Sequence, residues 1–240
     1  MTETARRIRR LEAALDFAAH RPDVPHGEID TQRVVARALS LLHQCWQEGH
    51  STDVDRWIYD EICTGVWGCG SAWKWMPWDD WTDDDGNRRR GWNAGWCGAT
   101  VAYILGWSER LRYDIRRHLL PSPARLLDKA RCAKIGFPLA DRKVDPAYMI
   151  GGDVACIDTV GGDSADHIAL VWAGPGQVDP CHSVDAVPHV EVLGPGEYRT
   201  IEGNARGYHL TGEKVVGIVT NLRKIKQVRG VVRFRAEDCE

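Results

Sequence analysis

Gly91-Trp-Asn-Ala-Gly-Trp-Cys-Gly-Ala-Thr-Val-Ala-Tyr-Ile-Leu-Gly-Trp107 is a polar, glycine-spaced lead-in followed, from Gly98 onward, by residues that are small or apolar and uncharged. A surface helix carries charge on one side, so this pattern predicts a helix buried all round that begins at Cys97. Unpaired N–H groups and aligned peptide dipoles at a helix N-terminus favour thiolate over thiol. Cys97 is therefore a candidate nucleophile, provided a base reaches it. An inert core cysteine is the other reading of this stretch taken alone.

Toward the N-terminus, Ile8, Leu11, Leu15 and Ala18 fall at helical spacing and stop before Pro22. They predict an amphipathic helical arm over residues 1–25. Residues 31–46 repeat the pattern, with Val34, Val35, Ala38, Leu39, Leu41 and Leu42 on the apolar side and Asp30 as N-cap. A shorter helix is predicted around residues 53–62. Between Gly65 and Gly91 the chain shows no regular period. It carries Trp67, Trp73, Trp75, Trp78 and Trp81, then Asp83-Asp-Asp-Gly-Asn87 and Arg88-Arg89-Arg90. The tryptophans either pack a long loop or line a groove for sugar or peptide. The arginine run reads as a solvated face. A calcium loop is disfavoured, because Trp81 falls where the template needs its first acidic ligand.

Toward the C-terminus, residues 109–119 and 122–134 are helix-like, separated by Pro121 and Pro123. From Gly152 the period changes to short β-rich runs at 153–158, 167–172, 198–202, 214–221 and 228–235. Helices first and strands afterwards predict an α+β fold with an antiparallel sheet. One domain over 26–240 is expected, its helical half at about 26–134 and its β half at about 150–235.

A formal net charge of −3 offers nucleic acid no general attraction. The first ten residues are too polar for a secretory signal, and no run approaches the ~18 apolar residues of a membrane span. Cytoplasmic synthesis without membrane insertion is the expectation. The eight cysteines lie at spacings that do not suit zinc, so reduced thiols and no metal or cofactor are expected.

Two further segments complete a possible site. His167 opens the run Asp166-His-Ile-Ala-Leu-Val-Trp172, where an imidazole can point into a cleft while its neighbours bury the strand. In Arg199-Thr-Ile-Glu-Gly-Asn204, period-two alternation places Glu202 and Asn204 on one face. Together with Cys97 these supply a nucleophile, a base and a polar group, Glu202 or Asn204, to hold the base. Trp92, Asn93, Trp96 and Asp166 flank these residues and are expected to face substrate. The Cys97 N–H is the natural first donor to an oxyanion, with Asn93 or Trp96 near enough in sequence to bear on a second.

Trp96-Cys97-Gly98-Ala99, Gly152-Asp153-Val154, Asp166-His167-Ile168-Ala169-Leu170-Val171 and Thr200-Ile201-Glu202-Gly203-Asn204 resemble, in that order, the segments of the CHAP and NlpC-like cysteine amidases and peptidases, a branch of the papain-like fold. The likeness spans roughly residues 34–220 and is specific mainly through co-occurrence in order. Asp166 departs from it, standing where a glycine is common, and so does the long, Pro/Gly-rich connection from His167 to Glu202. The resemblance implies hydrolysis of an amide bond of peptidoglycan, as in a phage lysin acting on the bacterial wall after release. An injected antibacterial amidase, a protein-directed cysteine protease or deamidase, and a non-enzymatic phage structural or binding module with a relic site are the alternatives.

Overall fold

The computed structural model describes residues 31–43, 80–82, 88–90, 97–179, 192–208 and 214–240. The arm at 1–25, the helix at 53–62 and the tryptophans at 67–78 lie outside them. α1 (Thr31–His43) turns Val34, Ala38 and Leu41 inward, the i, i+4, i+7 stripe of an amphipathic helix. α2 (Cys97–Glu109) is the all-round buried helix, with Ala99, Thr100, Val101, Ala102, Ile104 and Leu105 almost fully enclosed. No helix among the described residues is long and apolar enough to cross a membrane.

A short hairpin, β1 (Asp80–Thr82) with β2 (Arg88–Arg90), precedes α2. The arginine run is thus a paired strand, and the absence of a regular period at 65–91 did not mean the absence of sheet. A three-residue pairing rests on backbone hydrogen bonds and shows no side-chain period.

After α2 the predicted long helices are broken into α3 (Tyr113–His118), α4 (Pro123–Leu126), α5 (Lys129–Lys134) and α6 (Leu139–Arg142). Arg110 takes φ 55° and Leu111 bridges Cys239, so helix cannot run on from 109. Asp128 starts α5 afresh, its carboxylate accepting the N–H groups of Ala130 and Arg131.

The β half is one six-stranded antiparallel sheet. Its strands are β3 (Lys143–Val144), β4 (Val154–Ile157), β5 (His167–Ala173), β6 (Glu197–Tyr208), β7 (Lys214–Lys224) and β8 (Val228–Val232), in the order β3-β8-β4-β5-β6-β7. Helices followed by an antiparallel sheet make the fold α+β, as the change of period predicts.

Alternation along the strands separates two cores. Val154, Cys156, Ile168, Leu170 and Ile201 join α1 and α2 on one face. Ala155, Ile157, Ala169, Val171, Tyr198 and Val231 form the other with Met149. Both faces are covered, which is why β4 is buried at every position. The ends of β4 are held by arginines: Asp153 by Arg233 (Nε–Oδ1 2.7 Å) and Asp158 by Arg229 (2.5 Å).

Candidate active site

Cys97 is the first residue of α2 and is 8% exposed. The start of α2 is seated against the backbone of residues 119–121, an approach that only glycine permits at position 98. A Cβ there would lie 1.9 Å from the Leu120 carbonyl oxygen. His167 is the first residue of β5, opposite Ile157 at the end of the β4–β5 ladder. The turn before it is closed by Asp166, whose N–H donates to the Ile157 carbonyl (2.9 Å) and whose carboxylate accepts the Thr159 N–H (2.8 Å) and faces the Thr159 hydroxyl. Asp166 is thus brought to the edge of the site, but its carboxylate is engaged within the turn.

β5 pairs with β6 so that Leu170 faces Ile201 and Val171 faces Thr200. This register puts Glu202 on the same face as His167, one diagonal step away. The structure joins them: His167 Nε2 donates to Glu202 Oε2 at 3.0 Å, with the carboxylate fully buried. Nδ1 is then the ring nitrogen left toward Cys97, and sulfur and imidazole lie close enough for each to shift the titration of the other. The thiol comes from the end of α2 on one face of the sheet, and the imidazole and carboxylate from the other. They meet at the start of β5, where the Ile168 and Gly98 N–H groups also bear on the sulfur.

Asn204 lies in β6 as well, but the β6–β7 register shifts between Glu202 and Ala205, which pair with Val219 and Gly217. Gly203 and Asn204 together face Ile218 in this bulge, so a strict period-two count from Glu202 does not carry through it. The Asn204 side chain, like Trp92, Asn93 and Trp96, lies outside what is described.

Burial opposes charge on both reacting groups, and here it loses. For Cys97 burial raises the thiol, but the hydrogen bond and positive charge of His167, with the two backbone N–H groups, bring it below the ordinary thiol value. For His167 burial lowers the imidazole, but hydrogen bonds and charge from Cys97 and Glu202 raise it to about 10. A helix terminus contributes about 0.3–1 kcal/mol, less than one pKa unit. The imidazolium therefore does more for the thiolate than the helix that carries it. The signs agree: both shifts favour the thiolate–imidazolium form of the pair over thiol and neutral imidazole. Glu202 is held well below the carboxylate range, since Arg223 and His167 outweigh its burial.

Three residues of this site escaped sequence reasoning. Arg223 of β7 binds Glu202 through Nε (2.8 Å to Oε1) and Nη2 (2.6 Å to Oε2). The Thr200 hydroxyl lies against Oε1 of the same carboxylate. Cys156 of β4 sits close enough to feel the charge of Cys97, and burial above all pushes its thiol up to about 12. Thr200 was within reach of a period-two reading from Glu202; Arg223 and Cys156 needed the strand register. Among the described residues no group of His, Cys, Asp and Glu could hold a metal ion. No family model, no curated protein and no solved structure matches this chain.

Chemically, the arrangement is a thiol biased toward thiolate beside a proton donor whose far nitrogen is held by a carboxylate. It is suited to attack on a carbonyl carbon followed by protonation of a leaving group.

Proposed function

We propose that this protein is a cysteine-dependent amidohydrolase with a papain-like arrangement that cleaves an amide bond of bacterial peptidoglycan, as an amidase or endopeptidase. The observation that carries the reading is the convergence of Cys97, His167 and Glu202, the last two joined by a hydrogen bond, from the start of a buried helix and two adjacent strands. Cys97 Sγ attacks the carbonyl carbon, and the oxyanion forms at the N-terminus of α2, where the Cys97 N–H is the natural first donor. His167 Nδ1 gives its proton to the departing amine, leaving a thioester. The neutral imidazole then takes a proton from water, which attacks the thioester and releases the acid and the thiolate. Glu202 keeps Nε2 protonated and the ring turned toward sulfur throughout.

The choice of peptidoglycan is supported by the order of the four segments that resemble the CHAP and NlpC-like enzymes, and a lysin-type role in wall degradation goes with it. Turbidity of purified cell walls tests the reading: wild type clears them and Cys97→Ala does not. Clearing by the variant at the wild-type rate overturns the cysteine mechanism. Mass spectrometry of the digest then names the bond, since a lactyl–alanine cut and a cut within the stem peptide leave different new termini.

A further inference from the structure

We infer that Arg223 is a positioning residue of this site: its guanidinium clamps Glu202 from β7 and fixes the carboxylate as an ionised, oriented partner for His167 Nε2. The inference rests on reading Cys97 as the nucleophile, and it adds a fourth residue to Cys97, His167 and Glu202.

Geometry separates this pair from the other arginine clamps in the molecule. Arg233 grips Asp153 at two points (2.7 and 2.9 Å), and Oδ2 of that carboxylate also accepts the Ile150 N–H (2.8 Å), so the pair holds a turn. Arg229 holds Asp158 together with the Gly161 and Gly162 N–H groups, again in a turn. Arg223 instead shares Glu202 Oε2 with the imidazole. The two-point clamp sets the plane of the carboxylate, and that plane aims Oε2 at Nε2.

The register explains the reach: Arg223 pairs with Tyr198, on the same face of β6 as Thr200 and Glu202. The groups around Glu202 are His167 from β5, Arg223 from β7, and Thr200 and Tyr198 from its own strand. Cys97 acts through His167, and Asp166 bears on Arg223 from the β4–β5 turn. Arg223 and the imidazolium are the cations of this set. A fully buried carboxylate that loses one of them is driven toward its protonated form. A protonated Glu202 supports the imidazolium less, and through it the thiolate.

The test reads the thiolate without any substrate. The rate of Cys97 alkylation by iodoacetamide is followed peptide by peptide by mass spectrometry from about pH 4 to 10, a span covering carboxylate, imidazole and thiol titrations, in wild type, Arg223→Met and Arg223→Lys. In Arg223→Met the acid limb rises by about one pH unit or more, and the plateau falls about tenfold. Arg223→Lys returns the acid limb to within about half a unit of wild type, because it restores the charge. Its plateau stays several-fold low, because one ammonium cannot make the two-point clamp. A purely structural Arg223 gives less folded protein with an unchanged profile; a superimposable Arg223→Met profile therefore overturns the inference. Should Arg223→Met fail to fold, an Arg223→Lys profile identical to wild type does the same. If cell walls resist the wild type while the profiles shift as stated, the proposed substrate falls and the role of Arg223 stands. If walls are cleared and the profiles coincide, only the role of Arg223 falls.

Discussion

Cys97 and Cys156 are the same residue type in the same interior, 8% and 0% exposed, and Cys156 lies close enough to feel the charge of Cys97. Burial pushes both thiols up. For Cys156, in the middle of β4, the charge of Lys143 offsets it too little and the thiol goes to about 12. For Cys97 the imidazolium and the N–H groups of Gly98 and Ile168 reverse the sign. Burial alone therefore says little about reactivity. The environment that decides lies at the ends of elements, where α2 begins and β5 begins, because chain ends leave N–H groups and side chains free to converge. Mid-strand positions have their backbone committed to the ladder.

The contrast breaks most cleanly by removing one sulfur. Cys97→Ala should lower amide hydrolysis at least about 10³-fold in a wall-clearing assay. Cys156→Ala should leave the rate within about twofold, since it takes no part in proton transfer. Equal losses from the two variants would erase the distinction.

Next comes the origin of the thiolate. In His167→Ala, Cys97 loses its cation and keeps its burial, so its thiol should return to or above 9.0. Iodoacetamide labelling of Cys97 near pH 7 should then fall about 30–100-fold, toward that of Cys156. An unchanged labelling rate would assign the effect to the helix terminus.

The pH profile sharpens the same point. An imidazolium raised to about 10 keeps its proton through neutrality and loses it as pH rises through that value. The alkaline limb of hydrolysis should lie near pH 10, whereas a limb at 6.5 would mean that His167 is an ordinary imidazole.

The smaller effects concern stability. Gly98→Ala forces a Cβ onto the Leu120 carbonyl and should cost about 1–3 kcal/mol in urea unfolding. It should also slow Cys97 labelling, because the start of α2 must move. Cys156→Ala should cost about 1 kcal/mol, the loss of a small packed group, with Cys97 labelling unaffected.

How much could be read in advance varied with the range of the interaction. The apolar run from Gly98 forms the buried helix, and the β-rich runs after Gly152 form the antiparallel sheet, because both signals are local periods. The continuous helices at 109–119 and 122–134 failed where a single residue, Arg110 or Asp128, redirected the backbone. The hairpin at 80–90 was invisible, since backbone pairing of three residues leaves no pattern. Within the site, the sequence singled out Cys97, His167 and Glu202 by residue type, order and element ends. It also paired Glu202 with Asn204 by alternation, which the bulge at Gly203 and Asn204 interrupts.

What the sequence by itself determined is the order of elements and the placing of a thiol and an imidazole at the start of a buried helix and of a strand. Both follow from spacing along the chain. What only the tertiary structure decided is which groups surround them: Glu202 on Nε2, Arg223 clamped to Glu202 from β7, Thr200 beneath it, and Cys156 near Cys97 in a setting where burial dominates. Those partners depend on strand register and on two faces of a sheet meeting at one end. A one-residue slip would turn Glu202 away from His167 while leaving every local period intact.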